Sequence, residues 1–558
     1  MPETTSARWD EIVDVVVVGS GVGALTAALL ASDGGASVMV AEKAEYIGGT
    51  TATSGGEMWI PNNRYIADQD SREEAIAYIS RLSDGRAADP KMIEVYVDTA
   101  PEALDYLESH TGYASRPSIT PTFAMSDYYT VIPGRIPGGK IYPRTVAAES
   151  YPAQAELGEH AKLVHPSPWV QPQEIAFGES DISADELARR QREGYRAKGG
   201  GLIAPLLKAL LDRGVEVRPS TPARRLVTDD DGAVIGVVIE ADGAETRVGA
   251  RRGVVLACGG FEWNPEMVKT YIGLDVKPVT PWANTGDGHR MAMAVGAKMG
   301  SMTTFFSHGV VYDPWLKGPD AKPLPQMTQG LGSGSIIVNQ QGQRFMHGGY
   351  TYNDFSHPFG IFDQRDPGFP NKPPGWIVFG AKHVEKGLFG SSYVPGEDPA
   401  LQGPDGTPSP GWLVVANSIR ELAAKMNVDA DALEETVTRY NKFAENGEDP
   451  DWGAPAQKSV MFGPDTLNHS PVEGPVYGAI QQWPGSIGTN GGCRIDADAR
   501  VLGEDTPVID GLYAAGNTSA AVLGGAYPGG GAAVGSSMVT GYLAGRHLAA
   551  KAPRDIGE

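Results

Sequence analysis

Cysteine is nearly missing from this chain: Cys258 and Cys493 are the only two among 558 residues. Neither a disulfide framework nor a cysteine-built zinc or iron–sulfur centre can be assembled from them. Histidine offers no substitute. His347 and His357 lie near each other, but no third ligand follows at a workable spacing, so no metal site is expected. Positive charge is scarce as well, with 46 Lys and Arg against 68 Asp and Glu, a formal net charge of −22. With no basic surplus to neutralise phosphates, nucleic acid is excluded as a partner, and the acidity reads as a solubility device. No apolar run approaches the roughly 18 residues that span a bilayer. Met1–Ile12 shows no basic-then-apolar leader. A cytoplasmic protein is expected, with a peripheral membrane contact left open.

What is abundant is glycine, at 72, and proline, at 42, which points to many tight turns and close backbone approaches. Single cores stop growing at about 250–300 residues, so a chain of this length implies two or more domains. Val13–Val18 is an almost continuous β-branched run, as a strand buried on both faces should be. It leads into Gly19-Ser20-Gly21-Val22-Gly23-Ala24 and then a helical stretch from Leu25 to Ser32. Gly19 permits the turn, Gly21 lets the backbone approach a pyrophosphate, and Ala24 lets the helix pack closely on the strand. A second strand, Ala36–Ala41, ends at Glu42, a carboxylate placed to accept hydrogen bonds from an adenosine ribose.

Gly48-Gly49-Thr50-Thr51-Ala52-Thr53-Ser54-Gly55-Gly56 reads as a loop of small residues that could follow a diphosphate toward a ring system. Ser71–Glu74 forms a capping box opening a helix to about Leu82, and Asp89-Pro90 opens another through Glu108. Arg225–Thr228, Val234–Glu240 and Thr246–Val248, parted by Asp-Gly pairs, predict a three-stranded meander, followed by a separate strand at Gly253–Ala257. Gly511–Asn517 repeats the strand-into-glycine form, and Ala532–Ala549 is helical. The fold expected is α/β. A Rossmann-type domain is built from both chain ends, 1–284 and 489–558, around an inserted α+β domain at 285–488.

The chain resembles the flavoprotein family of fumarate reductases and 3-ketosteroid dehydrogenases. The resemblance rests on the Gly19 fingerprint, Glu42, Gly48-Gly49-Thr50, Ala257–Phe261, Asn284–Gly288 and Gly511–Asn517, in that order. It implies FAD, held non-covalently because no histidine sits in an attachment motif, with the insert as a capping domain. The implied cofactor-binding set is Gly19, Gly21, Gly23, Ala24, Glu42, Gly49, Thr50, Ser54, Gly55, Gly56, Gly259, Asp287, Gly516, Asn517, Ala532 and Val534. Ser54–Asn63, Ser126–Tyr129 with Pro133-Gly134, Pro484–Gly492 and Ala526–Gly531 are similar to motifs of the 3-ketosteroid Δ1-dehydrogenases. So is the run Asp449–Gly453. Eight residues past Arg344, the first residue of the Arg344-Phe345-Met346 motif, where a fumarate reductase carries an arginine, stands Tyr352.

On this resemblance Tyr527 and the Gly531 N–H are the electrophilic pair, Tyr352 the proton-abstracting base and Tyr128 its phenolic partner. Tyr129 and Tyr350 are the rivals of Tyr128 and Tyr352, and Tyr477 is either pocket wall or core. The implied substrate is a 3-ketosteroid, and the acceptor that reoxidises the flavin is a quinone or another carrier. Oligomeric state stays open. Chemistry at another position, including Δ4-dehydrogenation or enone reduction, is the first alternative. A flavin protein that binds a hydrophobic ligand without turnover is the second. His347-Gly348, Ser486 and Gly530–Ala533 depart from the family pattern, and 151–197 reads as a lid, a membrane-touching flap or an inert insertion.

Overall fold

The β-branched run at 13–18 forms the strand its sequence predicts, β1 (Glu11–Val18), with Val15–Val18 covered on both faces. A computed structural model describes the chain over residues 3–4, 8–66, 69–118, 127–129, 144–169, 182–317, 323–327, 334–347, 352–365, 367–381, 413–452 and 470–557. Motif residues Ser126, Pro133, Gly134, Gly348, Tyr350 and Gly453 lie outside the described residues. Two compact units result: Met1–Met267 with Thr280–Phe306 and Gly488–Glu558, and Val268–Val279 with Ser307–Ile487.

In the first unit β1 runs into α1 (Val22–Asp33), which is buried along Val22–Ala31. A helix apolar on every side must be covered on every side. β2 (Val38–Ala41) lies parallel to β1. The stretch expected to be a plain loop instead contains α2 (Gly49–Thr53) before β3 (Glu57–Trp59). Gly48, at φ +115°, turns the chain in, and hydroxyls of Thr53 and Ser54 close the turn on the Thr50 and Thr51 carbonyls at 3.1 and 2.7 Å. α3 (Arg72–Ser83) is capped as its sequence predicts, Ser71 Oγ accepting from the Glu74 N–H at 3.1 Å. α4 (Lys91–His110) follows, then β4 (Ser115–Pro117) and β5 (Thr145–Ala148), which form a small antiparallel sheet in the order β3-β5-β4.

After α5 (Gly199–Asp212) come β6 (Glu216–Arg218), β7 (Ala223–Thr228), β8 (Val234–Ala241) and β9 (Ala244–Leu256). The sequence predicts two strands where the structure has one, β9. Its register shifts between Ala250 and Gly253, so its first half pairs antiparallel with β8 while its second half runs parallel to β1. The large sheet has the order Glu3–Thr4, β7, β8, β9, β1, β2, β6. α6 (Asp287–Ala294) closes this stretch.

The second unit is a mainly antiparallel sheet of β10 (Phe305–Lys317), β11 (Ser335–Val338) and β12 (Gly375–Phe379) with later strands. α7 (Ile419–Met426) and α8 (Ala430–Ala444) are capped by Ser418 and Asp429 and share a core with Val338, Trp376 and Val378. β13 (Tyr477–Thr489) joins the sheet and leads back to the first unit. There β14 (Leu512–Ala514) pairs parallel with β9, and α9 (Ala532–Ala550) lies against α1. The two helix backbones nearly touch. A Cβ on Gly541 would sit 2.1 Å from the Gly23 carbonyl oxygen, and one on Gly23 2.6 Å from that of Ser537. Among the described residues, no helix is long and apolar enough to cross a membrane.

Candidate active site

The glycine fingerprint makes a crowded turn. A Cβ on Gly19, at φ +106°, would lie 2.3 Å from the Ala257 carbonyl oxygen. Gly21 is the N-cap of α1 with no side-chain cap, so the helix start faces the turn with its positive end. Gly23 and Ala24 face away from it: Gly23 serves the contact with α9, and Ala24 is buried in the core. Glu42 stands at the end of β2, 7% exposed. Its Oε2 accepts from Ser20 Oγ at 2.6 Å, and its Oε1 accepts from the Ala44 N–H at 2.7 Å. Burial pushes its carboxyl above the ordinary value.

The next group of candidates converges around Asn284. Thr50 Oγ1 accepts from Asn284 Nδ2 at 2.9 Å, and a Cβ on Gly259, at φ +78°, would meet Asn284 Oδ1 at 2.4 Å. Asn284 also donates to Glu262 Oε1 at 2.8 Å. Glu262 is a buried carboxylate that the sequence motifs do not point to, and its other oxygen has no hydrogen-bond partner among the described residues. Burial pushes Glu262 above the ordinary carboxylate range. Asp287 turns to Lys43 instead, 2.6 Å away. Burial works to raise its carboxyl, but Lys43 holds it below the usual value. Gly49 keeps open space, whereas a Cβ on Gly55 would meet the Glu57 carboxylate at 2.8 Å and one on Gly56 the Lys198 carbonyl at 2.3 Å. Ser54 closes the C-terminus of α2.

Gly516, its N–H donating to Thr540 Oγ1 at 2.9 Å, and Asn517 border a cleft with Phe306, Asn490 and Ser536. Ala532 is buried and Val534 partly exposed on the first turns of α9. Asn490 stands in the Pro484–Gly492 motif without an expected role, yet its Oδ1 is buried without a partner among the described residues. An extended dinucleotide fits this donor set. It would meet an acceptor carboxylate at Glu42, the start of α1 after Gly21, where the Val22 N–H is taken by Thr51 Oγ1 at 3.2 Å, crowded glycines such as Gly19, and the amide oxygen of Asn490.

Beside this cradle the tyrosines collect. Tyr128 and Tyr527, 5% and 4% exposed, stack at 6.1 Å with planes 10° apart, and Phe306 meets Tyr527 edge-on at 5.4 Å. Gly531, at φ +83°, is the N-cap of α9 and has no side-chain cap; a Cβ there would fall 2.3 Å from the Glu57 backbone. The Tyr129 backbone N–H donates to Tyr78 Oη at 3.2 Å, while it is the Tyr128 ring that stacks. A buried ionic group whose pairing the sequence does not show underlies them: Arg144 joins Asp70 and Asp127, with Trp59 donating to Asp127 Oδ1 at 2.9 Å.

In the second unit Tyr352 opens a short 3-10 turn and is 9% exposed. His308 stacks on it at 5.0 Å, and Asn353 Oδ1 accepts from the Ser307 N–H at 3.0 Å. Arg344 is a structural group, bidentate on Asp449 and lying 4.4 Å over the Trp452 ring; His347 is 3.7 Å from the same carboxylate. Tyr477 packs against the core formed with α7 and α8. The described part of 151–197 anchors beside the nucleotide turn, the Ile47 N–H donating to the Leu163 carbonyl at 2.6 Å. Among the described residues, no three His, Cys, Asp or Glu side chains gather in a metal-ligand arrangement.

Fold and site together define a dinucleotide-binding α/β flavoprotein with an inserted second unit. Residues 14–534 match the FAD binding domain family, and the chain belongs to it as an FAD-dependent oxidoreductase. It is 35% identical to the 3-oxosteroid 1-dehydrogenase of Mycobacterium tuberculosis (strain ATCC 25618 / H37Rv), over 97% of this chain and 98% of that protein. It is 34% identical to the 4-oxocyclohexanecarboxylate 2-dehydrogenase of Sinomonas cyclohexanicum, over 97% of this chain and 93% of that protein. A solved structure of 3-ketosteroid Δ1-dehydrogenase from Sterolibacterium denitrificans, in complex with 1,4-androstadiene-3,17-dione, aligns with a TM-score of 0.82. The sequence identity is 29%, with 97% of this chain and 100% of that chain covered.

Proposed function

We propose that the protein removes one hydrogen each from C1 and C2 of a 3-ketosteroid, leaving a double bond between them. The observation that carries this reading is the stacked Tyr128–Tyr527 pair beside the uncapped start of α9 at Gly531. Breaking these two C–H bonds means taking a proton from C2 and a hydride from C1. The C2 proton is too weakly acidic until donors aimed at the ketone oxygen stabilise the enolate that forms. Tyr527 Oη and the Gly531 N–H are assigned that task, helped by the positive end of α9. Tyr352 is assigned the proton. A tyrosine with its ordinary pKa near 10 is a poor base at neutral pH, so Tyr128 is given the role of a second phenol that assists the step. Flavin, when bound, supplies the acceptor for the hydride.

On this reading the first unit is the cofactor domain and the second the capping domain that carries the base. The flavin is bound without a covalent link and is reoxidised by a quinone or another carrier. Two unpaired cysteines suit the cytoplasm. The test is anaerobic mixing of the yellow protein with androst-4-ene-3,17-dione. Bleaching with appearance of the 1,4-diene is expected. A spectral shift without bleaching would move the chemistry to another steroid position or to the reductive direction. Tyr527→Phe is expected to slow flavin reduction by about 10²–10³-fold while steroid affinity changes little. Unhindered reduction in that variant would overturn the site.

A second reading is favoured by the 34% identity to the Sinomonas enzyme: the same desaturation on a single-ring ketone. Faster bleaching by 4-oxocyclohexanecarboxylate than by the steroid would select it.

A further inference from the structure

We infer that Asp127 is a positioning residue for the Tyr128–Tyr527 pair, acting through a buried Asp70–Arg144–Asp127 ionic group; what those tyrosines do rests on the proposed function. Arg144 has no exposed side-chain surface. Its Nη1 donates to Asp127 Oδ2 at 2.8 Å and its Nε to Asp70 Oδ2 at 2.8 Å. The second oxygen of Asp127 is taken by Trp59 Nε1 at 2.9 Å, so both of its carboxylate oxygens are engaged. Burial alone would disfavour the guanidinium charge, yet Asp127 and Asp70 hold its pKa above the ordinary value. Buried ion groups are often no more stable than apolar residues of the same volume, so the group asks for a reason other than stability.

The reason is visible in what its members grip. Asp127 pairs backbone to backbone with Gly529, and the next residue, Tyr128, donates its N–H to the Pro528 carbonyl at 2.9 Å. Tyr78 Oη donates to the same carbonyl at 2.8 Å and in turn accepts from the Tyr129 N–H at 3.2 Å. On the other side of Arg144, Thr145 Oγ1 donates to the Gly530 carbonyl at 2.9 Å. The turn Pro528–Gly530, which connects Tyr527 to Gly531, is therefore held at each of its residues by a neighbour of this ionic group. Asp127 fixes the segment that carries Tyr128, Thr145 fixes the exit toward Gly531, and Arg144 locks the two together. A displacement of about 1 Å in such a constellation can cost on the order of 10² in rate.

The test uses the full-length holoprotein. Asp127→Ala is expected to lower kcat for the steroid about 10²-fold with KM within a few-fold of the parent. In a Tyr128→Phe background the same change should cost clearly less than in the parent, because one of the two phenols it positions is gone while Tyr527 remains. Full additivity of the two losses would mark Asp127 as merely structural and overturn the inference. Asp127→Asn, closer in shape, provides a second readout in protein labelled with 3-fluorotyrosine. The Tyr128 and Tyr527 resonances, assigned by Phe substitution, should shift while those of tyrosines remote from the ionic group stay. If they stay in place, the inference falls. A parent protein that does not oxidise steroid would remove the proposed function, and the fluorine spectrum would still decide the positioning.

Discussion

Glu42 and His289 are both buried in the first unit, and burial acts on them in opposite directions. His289 has no exposed surface, its Nε2 lies 2.7 Å from the Gly491 carbonyl, and burial pushes its pKa from 6.5 down to about 4. Between those two values the unfolded chain binds the extra proton, so this residue's contribution to stability falls as pH drops through that window. His289→Gln should therefore lose roughly 2 kcal/mol less than the parent between pH 7 and pH 5, measured by denaturant unfolding. Glu42 and Glu262, pushed up by burial, have the opposite slope: the folded state keeps a proton that the unfolded one has released. The informative quantity is thus the difference between variant and parent. Residues of this kind were unevenly legible in the sequence. Gly19, Gly21 and Glu42 stood out because a backbone that must touch a ligand leaves a fixed spacing of glycines. Asp127 showed only as part of the Ser126–Tyr129 motif, and its partners Asp70 and Arg144 did not show at all. Their partners lie 74 and 17 positions apart, separations that follow neither helix nor strand periodicity.

At the scale of elements, the contact between α1 and α9 is the tightest test of the fold. Gly541→Ala would drive a methyl into the Gly23 carbonyl, and overpacking of this kind typically costs about 1–3 kcal/mol or more. Gly360→Ala, with open space around its Cβ, serves as the control. Thermal unfolding should show a lowered midpoint for the first and little change for the second. A Gly541→Ala protein as stable as the parent would mean that the two helices do not meet as described. Elements with local signals were read correctly, the Ser71–Glu74 cap of α3 among them, because cap, spacing and apolar face all lie within one turn. β9 was split in two because Arg251-Arg252 sits at its register shift and interrupts the apolar pattern, although the sheet carries the strand through. α2 was missed because it has too few apolar residues to show any period, and it forms from a positive-φ glycine and back-bonding hydroxyls.

For the whole molecule, the cofactor is expected to act as a clasp. Its candidate ligands come from three distant stretches of chain, around 19–56, 259–287 and 516–534. A ligand that binds only the folded state adds about 2.7 kcal/mol at a hundred times its Kd. Protein stripped of FAD should therefore melt at a lower temperature and recover stepwise as FAD is titrated. FMN, which lacks the adenosine ribose that we propose Glu42 receives, should recover less. Equal recovery with FMN would show that the Glu42 end of the cradle contributes nothing. The α/β class and the flavin family were legible from the sequence because the strand-into-glycine form recurs near both ends, at Gly19 and at Gly516.

The embrace of α1 by α9 also governs how the chain comes into being. α1 is greasy on every side, and the helix packed along it is made roughly five hundred residues later. At about 5–20 residues per second that is a wait of roughly 25–100 seconds, during which the face of α1 that meets α9 has no permanent cover. The nascent chain must be sheltered through that interval. A premature stop anywhere before α9 would release a polypeptide that still exposes the surface most prone to aggregate.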